Sequence, residues 1–211
     1  GTIADRQGYL GNVNISDALA RDIKSRERII LAPLQNPKPR HEAFYRPDNS
    51  FPGRKFYYHG KTILTAREET PYNSSAQPVE GTFDFTVSYS NLEDDELNLL
   101  IYSLVLEPQM RHKIGMGKPL GLGSVQIRIS KAELLKPQDR YSGKGEGIEV
   151  LSGNELNSFI SKNVEKYVRD TSSVNMIDLR RILAWPAQHD LRYPTRDWFR
   201  QNSRAKLADT P

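Results

Sequence analysis

The stretch TFDFTVSYSNLEDDELNLLIYSLVLEPQMRHKIGMGKPLGLGSVQIRIS, Thr82 to Ser130, decides how the chain is read. At its start Phe83, Phe85, Val87 and Tyr89 alternate with Thr82, Asp84, Thr86 and Ser88, the period-two pattern of a half-buried strand. Leu97, Leu100, Ile101, Leu104 and Val105 then fall at i, i+3, i+4, i+7 and i+8, which predicts a helix with one apolar stripe laid against a sheet. Glu93 to Glu96 put negative charge in the first turn, where the helix dipole favours it. Leu92 and Leu97 have the spacing of a hydrophobic staple around a Glu93 cap, and Glu107-Pro108 closes the helix. At the far end Val125, Ile127 and Ile129 alternate with Gln126, Arg128 and Ser130, a second half-buried strand. Strand, helix, glycine loop and strand together read as a βαβ-like half of an antiparallel α+β sandwich.

The loop between helix and second strand, HKIGMGKPLGLG, carries Gly115, Gly117, Gly121 and Gly123 with Lys113 and Lys118. It is not a Walker loop, because Lys118 is followed by Pro119 rather than by Ser or Thr and a helix. Nor is it a dinucleotide fingerprint, since that loop opens a helix and this one feeds a strand. A bare backbone that a ligand can approach closely remains, with N–H groups from the glycines and charge from the two lysines. The plainer explanation is a bulged, twisted start to a strand that needs glycine for positive φ. It accounts for the glycines better than for the lysines.

Outward from this region, residues 8–16 offer Val13 and Ile15 in alternation, a short strand ending at Ser16-Asp17, and a helix or irregular segment follows to Ile30. The run from Leu31 to Lys55 holds five prolines and reads as a long ordered or binding loop. KFYYHGKTIL, residues 55–64, regains strand character. Beyond the glycine-rich YSGKGEG, a helix is expected over Asn154 to Asp170 with Leu156, Phe159, Ile160, Val164, Tyr167 and Val168 on one face, and another over Ser173 to Trp185. The tail LRYPTRDWFRQNS reads as extended, its Tyr193, Trp198 and Phe199 interleaved with Arg192, Arg196 and Arg200 for stacking on bases or gripping a neighbouring subunit.

Composition narrows the class. Of 211 residues 37% are hydrophobic, enough for a packed core. No window approaches 18 uncharged apolar residues and the N-terminus lacks a signal-peptide pattern, so the chain reads as soluble, without a membrane partner. The absence of cysteine removes disulfides and thiolate zinc sites and fits a reducing cytoplasm. His41, His59, His112 and His189 are scattered without metal-ligand spacing, so neither a metal nor another cofactor is expected. The net charge of +4 is segregated. Arg21 to Arg67 holds eleven Lys/Arg against four Asp/Glu, Glu68 to Glu107 holds nine acids and no base, and Arg111 to Lys131 holds bases only. Such segregation fits either one face prepared for a polyanion or solvated basic loops. The chain starts Gly-Thr-Ile and reads from its first residues as mid-domain sequence, so a piece of a longer or processed polypeptide is expected.

HKIGMGKPLGLGSVQI, preceded by FTVSYSNLEDDELNLLIYSL, resembles the C-terminal half of the RAMP superfamily of CRISPR-associated proteins, with its ELxxLL-type helix, its GxGKxxGxG loop and its closing strand. GNVNISDA is similar to that family's G-x-V-x-x-S-D-A strand, PGRKFYYH to the G-R-K-F-Y-x-H segment of one type III-associated branch, and RILAWPAQHDLRYP to the ending of that branch. The resemblance covers residues 8–130 well and the remainder loosely. It implies an RRM-like (ferredoxin-like) fold of the α+β class that holds guide RNA in a type III CRISPR effector through phosphate and shape. On that reading residues 1–135 are the C-terminal portion of an RRM-like RAMP domain with a Pro-rich loop at 31–53. Residues 136–153 are a Gly-rich linker, and 154–211 a helical and extended C-terminal extension. The family's N-terminal half, with the loop carrying the target-cleaving aspartate, has no counterpart here. The implied partners are therefore CRISPR guide RNA, target RNA, and other RAMP subunits or the remaining half of a fused effector.

The RNA contacts implied are Lys113, Gly115, Gly117, Lys118, Gly121 and Gly123, together with Arg54, Lys55, Tyr57 and His112. This loop would lie along the RNA backbone, where sequence-independent binding needs N–H groups and Lys/Arg. His112 and Lys113 could equally satisfy carbonyls at a helix terminus. The catalytic alternative is a metal-dependent or acid/base endoribonuclease using Asp17 or His59. Asp17 matches the strand-end motif, where capping or turn bonding competes with cleavage. His59 could act as a general base on a ribose 2′-hydroxyl, with stacking or packing as the competing role of its aromatic-basic cluster.

Overall fold

The computed structural model describes residues 2–4, 7–9, 11–34, 56–143, 145–187, 190 and 196–206. The strands in chain order are β1 (Thr2–Ala4), β2 (Gln7–Tyr9), β3 (Val13–Ile15), β4 (Leu19–Ser25), β5 (Ile29–Ile30) and β6 (Ser75–Ala76). They continue with β7 (Val79–Asp84), β8 (Val87–Tyr89), β9 (His112–Lys113), β10 (Ser124–Val125), β11 (Ala132–Leu135) and β12 (Ile148–Leu151). The helices are α1 (Asp94–Val105), α2 (Pro137–Tyr141), α3 (Gly153–Val168), α4 (Val174–Ile182) and α5 (Arg196–Gln201). The class is α+β, as the sequence patterns require. Among the described residues every ladder is two-stranded. The chain divides into two compact units, one of Gly1–Lys24, Gly81–Pro108 and Gln126–Asp178, the other of Ser25–Glu80, Gln109–Val125 and Leu179–Pro211.

In the first unit α1 forms where its pattern predicts. The Glu93 N–H donates to Glu96 Oε2 at 3.0 Å, and Asp94, Asp95 and Glu96 occupy the first turn. The helix ends at Leu106, whose φ of 56° turns the chain one residue before Glu107-Pro108. A partner for α1 that its pattern did not predict is the helix α3, on which it packs. The rings of Tyr102 and Tyr167 stack with centroids 4.9 Å apart, and Lys166 Nζ reaches Asp95 Oδ1 at 2.8 Å on the rim. Among the described residues Ile101, Tyr102, Leu106, Leu151 and Leu156 are the buried apolar residues of this unit. The Tyr102 hydroxyl donates to the buried Glu107 Oε1 at 3.0 Å, so this buried acid has a partner.

The expected half-buried strand of residues 82–90 is instead divided. β7 ends at Asp84 and β8 begins at Val87, and Phe83 and Tyr89 remain 41% and 38% exposed. Each piece has a single neighbour. β8 pairs antiparallel with β3, Val13 opposite Tyr89, and the Ser16 and Thr86 main chains extend that ladder. β7 pairs with β4, which replaces the helix or irregular segment expected before Ile30. Arg21 pairs with Asp84 and Arg26 with Glu80, interactions between strands far apart in sequence that no local pattern displays.

Two further expectations are corrected. Residues 136–153, read as a linker, carry α2 and β12, and β12 pairs antiparallel with β11 from Ala132 opposite Leu151 to Leu135 opposite Ile148. The tail, read as extended, holds the helix α5, in which Asp197 in the first turn and Arg200 in the last suit the dipole. Of its aromatic-basic residues Arg192, Tyr193 and the Arg196 side chain lie outside the described residues, as does most of the Pro-rich loop. Among the described residues no helix is long and apolar enough to cross a membrane.

The second unit is held by main-chain bonds between extended segments. β5 pairs with β6, Leu31 bridges Thr65, and the Leu64 N–H donates to Leu120 O at 2.9 Å. Residues 56–64, expected as a strand, join no ladder. Residues 109–111 run antiparallel to 183–185, through the Met110–Ala184 bridge and the bond from Arg111 N–H to Leu183 O at 2.9 Å. Leu31, Met110, Leu120 and Leu183 form its apolar core.

The helix pair of the first unit gives a direct test. Tyr102→Ala removes a ring that is 2% exposed and is expected to cost about 3–5 kcal/mol. Leu99→Ala on the open face of the same helix, 53% exposed, should stay within about 0.5 kcal/mol. Urea unfolding of both variants checks the pair, and equal effects would contradict the packing described.

Candidate nucleic-acid interface

The glycine loop is the connection of an antiparallel hairpin. Lys113 stands opposite Ser124 and His112 opposite Val125, and the Ile114 N–H donates to Gly123 O at 2.9 Å. Within the loop a single 3-10 turn, Lys118–Leu120, is bounded by Gly117 and Gly121, with φ of 68° and 97°. Two of the four glycines answer to backbone packing alone. A Cβ on Gly121 would lie 2.3 Å from Thr62 O, and one on Gly123 would lie 2.0 Å from Ile114 O. Gly115 differs, since its absent side chain faces open space. The amides of Gly115, Met116 and Gly117 donate to no other described residue. Met116 beside them is 89% exposed. The tip of the hairpin is thus a short run of N–H groups unengaged by described residues, exposed at Gly115 and Met116 and half-buried at Gly117, where an added Cβ would lie 2.8 Å from Leu122 Cδ1.

His59 fastens the preceding segment to both strands of this hairpin. Its Nε2 lies 3.0 Å from Arg111 O and its Nδ1 2.8 Å from Ser124 Oγ. A carbonyl only accepts, so Nε2 carries the proton, and Nδ1 accepts from the Ser124 hydroxyl. The ring is 3% exposed and meets Trp185 edge-on at 5.3 Å between centroids. Burial holds its pKa below the usual histidine value, and the nearby positive charges of Lys113, Arg111 and His112 act in the same direction. A neutral imidazole with both nitrogens engaged has no lone pair to offer a ribose hydroxyl. Its geometry is that of a packing residue.

Lys113 is equally committed. Its Nζ donates to Leu122 O at 2.6 Å and to Ser124 Oγ at 3.3 Å, completing a chain of bonds from Lys113 through Ser124 and His59 to the Arg111 carbonyl. Loss of solvent lowers its pKa from 10.5 to about 8, so the ammonium is retained at neutral pH as an internal strut. Lys118, half-buried like Lys113, sets its Nζ 5.8 Å from the centroid of the Tyr57 ring. Lys118 and Tyr57, proposed from separate parts of the sequence, therefore meet at one place. His112 lies half-buried within β9, well past the end of α1, and so is not a helix-terminal cation. Arg54 and Lys55 lie outside the described residues.

Asp17 belongs to the first unit, on the exposed segment after β3. The turn bonding expected of it is made by Ser16, whose hydroxyl accepts from the Thr86 N–H at 2.9 Å and donates to Asp17 O at 3.0 Å. Among the described residues no three His, Asp or Glu side chains gather. The basic run 21–28 is largely spent within the chain. Arg21 and Arg26 face acids, and Arg28 Nε donates to Ser75 Oγ at 2.8 Å. Ser124, Trp185 and the Leu122 carbonyl were not legible as parts of the site, because each joins it by a contact distant in sequence. No protein-family model matches the chain, and no curated protein is significantly similar to it.

The strut is testable by titration. Between pH 8 and 10.5 the folded chain has released the Lys113 proton while the unfolded chain still holds it. Stability therefore rises with pH over that window, relative to a Lys113→Met variant. In an NMR titration of side-chain amines the Lys113 signal should move with a midpoint near pH 8, well below the other lysines. A midpoint with the rest would contradict the burial of Nζ.

Proposed function

We propose that this chain is an RNA-binding scaffold portion of a type III CRISPR RNA-guided effector, belonging to the RAMP superfamily with its RRM-like fold. It acts in the cytoplasm in antiviral defence. It holds guide RNA by the phosphate backbone, beside target RNA and the neighbouring RAMP subunits or the remaining half of a fused effector. The observation that carries this reading is the tip of the β9–β10 hairpin, where the amides of Gly115, Met116 and Gly117 are unengaged beside the Lys118–Tyr57 pair. A phosphate oxygen is a strong acceptor that neutral N–H groups can bind without reading a base, and one lysine adds charge. The loop has no Walker lysine and opens no helix, which favours a polymer over a nucleotide cofactor. The motif resemblance names that polymer as guide RNA.

The catalytic alternative lacks an equivalent observation. His59 is buried with both nitrogens bonded, and Asp17 belongs to no cluster of three acidic or histidine groups among the described residues. Binding, rather than cleavage, is what the surface is built to do. Lys113 contributes by shaping the hairpin and Lys118 by meeting the RNA.

Salt dependence separates these two lysines. Single-stranded RNA should bind with an affinity that falls as salt rises, and Lys118→Ala should reduce the slope of log K against log salt by about 0.7. Lys113→Met should lower thermal stability without that specific change in slope. Absence of salt-sensitive RNA affinity in the folded chain would overturn the proposal.

A further inference from the structure

The segment leading to His59 carries three aromatic rings in succession, Phe56, Tyr57 and Tyr58. Two neighbours of the exposed rings are tied down. His59 is 3% exposed and bonded on both nitrogens, and the Tyr57 ring lies under the Lys118 ammonium. The residues between them stay open to solvent: Phe56 is 51% exposed and Tyr58 44% exposed. Exposed aromatic rings on a backbone fixed at the adjacent positions lose little entropy on meeting a flat partner. The nearby hairpin supplies phosphate-directed groups, and no acid interrupts the chain from Arg111 to Lys131.

Resting on the RNA-binding reading, we infer that Phe56 and Tyr58 form a stacking platform for unpaired bases, so that the ligand is single-stranded RNA gripped by both its phosphates and its base faces. The nucleobase, not an apolar protein segment, is the occupant because the Lys118 ammonium lies over the Tyr57 ring, between the two exposed rings in sequence, and the hairpin that carries Lys118 holds no acid. Every base has a π-face, so the platform is indifferent to sequence and sensitive to pairing. A duplex buries those faces in its own stack and would keep only the phosphate contacts.

The test compares oligouridine with an abasic ribose-phosphate strand of the same length, and with an RNA duplex, on the full chain. The intact protein should bind oligouridine about five-fold or more tighter than the abasic strand. Phe56→Ala and Tyr58→Ala should each shrink that ratio while leaving abasic binding and the melting temperature unchanged, and Tyr58→Trp should preserve it. Equal affinity for the oligouridine and abasic strands would overturn the platform while leaving phosphate binding intact. So would loss of abasic binding in step with loss of oligouridine binding in the alanine variants. Failure of all three ligands to bind would instead remove the RNA reading itself, and the platform with it.

Discussion

The second unit depends on one buried imidazole. His59 bonds the Arg111 carbonyl through Nε2 and the Ser124 hydroxyl through Nδ1, so a single ring joins its own segment to the strands on both sides of the glycine loop. Protonation would turn Nδ1 into a donor facing a hydroxyl that already donates to it, and would add a cation beside Lys113, Arg111 and His112. Burial and that electrostatic crowding keep the ring neutral. The Lys113 ammonium continues the same network to Leu122 O, closing the hairpin from inside. With its base held this way, the loop can leave its tip amides unengaged without losing its shape.

This division of labour changes how the glycines are understood. Gly121 and Gly123 allow the loop to press on the Thr62 and Ile114 carbonyls, and an added Cβ at either would collide with backbone. Gly115 has no such neighbour. The motif is thus a packing device at its C-terminal end and exposed backbone around Gly115 and Met116. The lysines divide by partner, Lys113 bonded to the Leu122 carbonyl and Lys118 set over the Tyr57 ring.

Helices were legible wherever the pattern was long and capped, as in α1, where the stripe and the acidic first turn agree, and in α3. What they pack against was not. The apolar stripe of α1 says only that something apolar covers it, and the packing on α3 brings Tyr102 to Tyr167 across more than sixty residues. β4 was missed because Leu19, Arg21 and Ile23 give a weak alternation, and its pairing is helped by acids on β7. At the candidate site Lys118 and Tyr57, legible from their local surroundings in the sequence, do come together. His59 was chosen for its chemistry, yet its chemistry is consumed by Ser124 and the Arg111 carbonyl, partners that no local pattern identifies.

The central claim is that the tip of the β9–β10 hairpin, and not the basic run of β4, meets the RNA backbone. Its most direct measurement is an amide-resolved NMR footprint of the folded chain with single-stranded RNA. The account requires shifts and slowed exchange at Gly115, Met116 and Gly117 and little change at Arg21 to Arg28. A footprint along Arg21 to Arg28 with the hairpin tip untouched would contradict it.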